Sequence, residues 1–109
     1  MKILFDQATP VPNRGFPRGH LVRTAAQQGW DKLRNGDLLS VAEQDNFDLI
    51  LTTDRNMGYQ QILKDRKIAI VVIDVQQWPK LRPHVQAVVD AINAAMPGSY
   101  TEVRIALTK

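Results

Sequence analysis

The chain has 109 residues, 44% of them hydrophobic and 23% charged, with six Gly, six Pro and no Cys. A domain of this size buries roughly two thirds of the surface its unfolded chain exposes and needs no covalent staple; lacking cysteine, it has no disulfide framework, thiol nucleophile, Cys-based zinc site or iron-sulfur cluster. Fourteen Lys plus Arg against eleven Asp plus Glu leave a net charge of +3, a mild surplus compatible with a phosphate-rich partner.

Ile3-Leu4-Phe5 opens the chain as a short strand ending at Asp6. Residues 10–18 hold three prolines and Gly15, which allow at most a short, irregular helix. Residues 20–25 suit a short strand, ended by Gln28-Gly29. Over residues 37–45, Leu38, Leu39, Val41 and Ala42 fit one face of a helix, with Asn35-Gly36-Asp37 as its start signal. Leu49-Ile50-Leu51 runs into Thr52-Thr53-Asp54, and residues 68–73 run into Asp74. Both stretches are continuously apolar, as strands covered on two faces of a parallel sheet are. Residues 56–63 read as a short helix with Met57, Ile62 and Leu63 inward. Over residues 83–96, Val85, Val88, Val89, Ile92 and Met96 recur at helical spacing, and Pro97-Gly98 stops the helix. Residues 101–107 alternate polar with apolar, the pattern of an edge strand, which a second copy could cover in a homodimer.

The sum is an α/β protein, a single domain over residues 1–109, with a mainly parallel five-stranded sheet, helices on both faces and the first strand central. The longest apolar run, residues 68–73, is far shorter than the roughly 18 residues a membrane span requires, and the N-terminus carries no basic, apolar leader. The expectation is a cytoplasmic protein with no membrane partner.

In an open parallel sheet, ligands bind at the carboxyl ends of the strands. Asp6 closes the first strand, Asp54 follows the third by two threonines, and Asp37 opens the helix feeding the third. Three carboxylates brought to one edge repel one another unless a cation neutralises them, and hard divalent cations prefer oxygen ligands. A shared Mg²⁺ or Mn²⁺ accounts for the conjunction. Each aspartate also has a plainer role: Asp37 and Asp54 as helix caps, Asp6 in a turn. Asp74 is a fourth candidate ligand, although strand ends favour Asp for solubility. Glu43 is expected to be solvated, and Asp48 to lie at the opposite edge. His20 and His84 lack metal-ligand spacing, and no nucleophile elbow or phosphate-cradling glycine motif occurs. Arg14, Arg18, Arg23 and Arg55 are candidate nucleic-acid contacts around the acidic edge.

These pieces resemble the PIN-like domains, in particular a group of small single-domain bacterial toxin-like nucleases. The resemblance rests on Lys2-Ile3-Leu4-Phe5-Asp6-Gln7 with Pro10 shortly after, Gly19-His20-Leu21-Val22-Arg23-Thr24, Asn35-Gly36-Asp37-Leu38-Leu39 leading to Ala42-Glu43, and Phe47-Asp48-Leu49-Ile50-Leu51-Thr52-Thr53-Asp54-Arg55-Asn56. With Ala69-Ile70-Val71-Val72 it reaches the fourth strand. It implies a three-layer α/β/α Rossmann-like fold and a Mg²⁺- or Mn²⁺-dependent ribonuclease with Asp6, Asp37 and Asp54 as metal-binding, catalytic residues. It further implies single-stranded RNA as substrate, and an antitoxin protein as partner if the chain is the toxin of a toxin-antitoxin pair. Ala8 stands where many relatives have a polar residue, and residues 10–19 replace a clearer helix. The alternative is therefore a catalytically degenerate PIN-like module that binds RNA or protein. A phosphoacceptor receiver-like domain, which also sets Asp at strand ends, would need an acidic pair after the first strand where this chain has Gln7-Ala8.

Overall fold

The computed structural model describes residues 1–6, 9, 19–33, 35–55 and 66–105. The helices expected at 10–18 and 56–63, with Arg14 and Arg18, lie outside these residues. Five strands form one sheet: β1 (Lys2–Phe5), β2 (Leu21–Thr24), β3 (Leu49–Thr52), β4 (Ala69–Ile73) and β5 (Tyr100–Val103). Every neighbouring pair is parallel, and the order is β2-β1-β3-β4-β5. The expectation of a central first strand is corrected here: β1 is interior but second of five, and β3 occupies the middle.

Burial follows this order. All residues of β3 and β4 are buried, whereas β2 at one edge alternates between exposed and half-buried and β5 at the other is only partly buried. A strand with neighbours on both sides and helices on both faces has no surface for polar side chains, hence the unbroken Leu49-Ile50-Leu51 and Ala69-Ile70-Val71-Val72-Ile73.

Helix α1 (Asn35–Gln44) lays Leu38, Leu39 and Ala42 on the sheet face formed by Leu4, Ile50, Ile70 and Val72. The opposite face, Ile3, Leu49, Leu51 and Val71, is covered by Leu81 of the short helix α2 (Trp78–Leu81) and by Val88 and Ile92 of α3 (Val85–Ala94). Three layers result. A 3₁₀ turn, Arg82–His84, joins α2 to α3, so the helix expected from residue 83 starts two residues later. It also ends before Met96, because the backbone of Ala95 is already extended. Gly98 then turns the chain into β5 with φ of 75°, and a Cβ there would sit 3.0 Å from the Arg66 carbonyl oxygen.

From β2 through α1 to β3, and from β4 through α3 to β5, the chain advances in the same direction across the sheet. Yet α1 and α3 lie on opposite faces. The two crossovers therefore have opposite hands, and one of them departs from the right-handed rule that parallel connections nearly always obey. Residues 74–84, with α2 and the 3₁₀ turn, carry the chain from the end of β4 onto the face that α1 does not use. No helix among the described residues is long and apolar enough to cross a membrane.

Candidate metal centre at the carboxyl edge

In a sheet of order 2-1-3-4-5 the chain leaves β1 toward one side and returns to its other side, so the connections diverge between β1 and β3. Open parallel sheets bind ligands at the carboxyl ends of their strands at such a point. Asp6 and Thr52-Thr53-Asp54 stand there.

Thr52 is completely buried, the one buried polar side chain among the described residues. Its register partner Val72 faces α1, and Thr52 shares that face. The Thr52 hydroxyl donates to Oδ2 of Asp6 at 2.7 Å and accepts from the backbone N–H of Asp54 at 3.0 Å. One buried hydroxyl thus fixes a carboxylate at the end of β1 and the backbone of a second at the end of β3. The end of β1 is also secured by its neighbours: Leu51 O accepts the Asp6 N–H at 3.0 Å and the Thr9 hydroxyl at 2.8 Å, while the Thr9 N–H closes a turn onto Asp6 O at 3.0 Å.

Asp37 lies exposed in the first turn of α1, next to Leu38 on the same side of the sheet. Asp74 ends β4, half-buried; its Oδ1 accepts the Ile105 N–H at 2.7 Å and holds the chain beyond β5. Thr52 joins the Asp6 carboxylate to the Asp54 backbone. Among the described residues, no three His, Asp or Glu side chains assemble into a group able to hold a metal ion, so neither Asp37 nor Asp74 joins the pair in such a group.

The basic candidates separate. Arg55 is exposed and follows Asp54 directly. Arg23 lies on edge strand β2, where its guanidinium donates to Val22 O at 3.1 Å. His20 bonds the N-terminal amine at 3.1 Å and Asn93 at 3.2 Å, which ties β2 to α3. Glu43 is not solvated as expected: it accepts from Arg66 at 2.9 Å and from the Lys67 N–H at 2.9 Å. Burial acts to raise its pKa, but the Lys67 amide and the Arg66 guanidinium outweigh it and hold the carboxyl below its ordinary value. Asp48 accepts the Lys2 N–H at 2.8 Å at the amino edge, where the sequence predicts it.

Sequence reasoning missed three contributors. Thr9 sits three residues after Asp6, a spacing that suits a turn. Tyr100 donates to Glu102 at 3.0 Å, and burial together with that carboxylate pushes its phenol up to about 12, with Asp54 adding to the rise and Arg55 opposing it. Tyr100 is therefore electrostatically in touch with the site from the far edge strand, a relation that only the strand order could reveal. Lys80 joins Arg55 at a neighbouring cavity through α2, whose start is marked by Trp78-Pro79, a proline in its first turn. Comparison of the chain with protein-family models, curated proteins and solved structures finds no match.

Proposed function

We propose that the chain is a PIN-like nuclease, dependent on Mg²⁺ or Mn²⁺, that cleaves single-stranded RNA in the cytoplasm. One observation carries this reading: a buried hydroxyl ties the Asp6 carboxylate at the end of β1 to the Asp54 backbone N–H just beyond β3, at the point in the strand order where the chain turns to opposite sides. A buried polar group in an apolar sheet costs folding energy unless bonded, and Thr52 directs both of its bonds to candidate ligands. The donor set fits the cation. Mg²⁺ retains several waters and is commonly held by one or two carboxylates plus substrate phosphate, so Asp6 and Asp54 would suffice. When bound, the cation supplies Lewis acidity toward the phosphodiester and water activated near neutral pH.

The chain's own residues supply the rest. Thr52 holds the Asp6 side chain in one orientation and fixes the backbone from which Asp54 projects. Arg55, exposed beside Asp54, draws phosphate toward an edge that the aspartates alone would make repulsive. His20 is engaged in joining β2 to α3 and is not assigned as a base. The toxin role and an inhibitory antitoxin partner belong to the same reading: induced expression should arrest growth, and Asp54→Asn should not.

The degenerate binding module is favoured by a separate observation, the lack of a third carboxylate in the group among the described residues. A cleavage assay separates the two. The nuclease reading expects wild-type cleavage of single-stranded RNA with Mg²⁺ or Mn²⁺, abolished by EDTA and reduced at least about 100-fold in Asp54→Asn. RNA binding by that variant should survive or tighten, because phosphate meets one negative charge fewer. Wild-type binding without cleavage in either cation would select the binding module.

A further inference from the structure

A cavity of about 780 Å³ opens at the carboxyl edge on the α3 side of the sheet, bordered by Thr53 and Arg55 just beyond β3, by the end of β4 and by α2. Asp54 therefore lies in sequence between two of its lining residues. The volume falls within the range of pockets that enclose small organic ligands. Three potential cations converge on it: Arg55, Lys80 and His84. Among the described residues, none of the three makes a side-chain hydrogen bond or an ion pair. Among the described residues, the single carboxylate in the lining, Asp74, has Oδ1 bonded to the Ile105 amide. Arg55 and Lys80 outnumber the one carboxylate in the described lining, a surplus of positive charge that favours anions. An isolated inorganic anion would leave most of the space unfilled. Pro79 and Pro83 add rigid apolar walls, and the Gln76 and Gln77 amides each add a donor and an acceptor.

We propose that this cavity binds a phosphorylated nucleotide unit. Its phosphate meets Arg55 and Lys80, its sugar and base lie against the proline walls, and the glutamines bond the base edge. Within a strand this would be the nucleotide adjoining the phosphodiester at Asp6 and Asp54, an assignment that rests on the nuclease reading; the affinity for the nucleotide itself does not.

Calorimetry in EDTA, with no divalent cation present, isolates the cavity from the carboxylate pair. Adenosine 5′-monophosphate should bind at least about tenfold more tightly than adenosine or inorganic phosphate. Lys80→Ala and Arg55→Ala should each weaken it by about fivefold or more. Arg82→Ala removes an exposed cation of the same face that does not line the cavity, and should change affinity by less than about twofold. Phosphate binding as tightly as the nucleotide would reduce the cavity to an anion site and overturn the proposal. Equal losses in Arg82→Ala and Lys80→Ala would overturn it too, as diffuse charge attraction. A 5′-phosphorylated pentaadenylate binding more tightly than the mononucleotide supports a strand unit as the source; its exclusion overturns the strand assignment and leaves free nucleotide as the ligand. Nucleotide affinity in EDTA without cleavage in Mg²⁺ or Mn²⁺ sinks the nuclease reading alone, and the reverse result sinks the cavity alone.

Discussion

The two ends of the sheet use the same residue types in opposite ways. At the amino edge, charge is matched within the fold: Lys2 Nζ donates to the Asp45 carboxylate at 3.2 Å and to its backbone oxygen at 2.6 Å, Asp48 takes the Lys2 amide, and Arg66 spans Glu43, Ser40 and the Gly36 carbonyl along α1. Each of these bonds ties one chain segment to another. At the carboxyl edge, the buried Thr52 hydroxyl links the Asp6 carboxylate to the Asp54 backbone amide, and Arg55, Lys80 and His84 line a cavity without a side-chain hydrogen bond or ion pair among the described residues. The amino edge matches its charges within the fold, while the carboxyl edge, where open parallel sheets bind ligands, is the edge to which we assign one.

Thr52→Val should break that division most severely. Valine matches the shape but leaves the Asp6 carboxylate and the Asp54 amide each short of a partner, at about 1–3 kcal/mol in chemical denaturation. A residue that orients ligands also costs roughly 10- to 100-fold in metal affinity when removed. Val at this position without loss of Mn²⁺ affinity would mean the bridge has no part in function.

Glu43→Gln comes next and tests the amino edge, where about 1 kcal/mol should be lost, discounted because both partners keep contact with water. Its pH dependence has a fixed sign. The folded carboxyl lies below its ordinary 4.5, so its contribution is present above that value and fades as pH falls through the folded pKa. The stability gap between wild type and variant should therefore narrow in acid; a gap that widens would contradict the pairing.

Tyr100 should titrate near pH 12, so its contribution is complete below its ordinary 10 and disappears between 10 and 12 as pH rises. Spectrophotometric titration of Glu102→Gln should show the phenol ionising at lower pH, because the carboxylate that opposes phenolate is gone. The smallest effect is expected from Lys2→Gln. An exposed ion pair and a cation 4.3 Å from the Phe47 ring centroid together should contribute less than about 1 kcal/mol.

Much of this fold is legible in the sequence. Apolar runs at 49–51 and 68–73 marked the doubly covered strands, and Asp6 and Asp54 at strand ends marked the edge where they stand. The order of strands was not legible, since periodicity reports how many faces of a strand are covered and not which neighbours it has; the first strand was set in the middle, where β3 belongs. The opposed crossovers were hidden for a related reason, because an amphipathic helix such as α3 fits either face of the sheet. Glu43 was misread because its partner Arg66 lies 23 residues away, on the segment that leads into β4. Thr52 was recognisable as a neighbour of Asp54, but its bond to Asp6 depends on β1 pairing with β3, which only the fold supplies.

We propose that Asp6 and Asp54 form one cation site at the carboxyl edge. Calorimetric titration of the metal-free protein with Mn²⁺, in wild type and in Asp6→Asn, tests it most directly. The account predicts saturable binding of Mn²⁺ by the wild type, with a matching rise in Tm by mass action, and loss of both in the variant, which should itself melt slightly higher than wild type without metal because like-charge repulsion is relieved. Mn²⁺ affinity unchanged by Asp6→Asn, or no saturable binding by the wild type at millimolar cation, would contradict it.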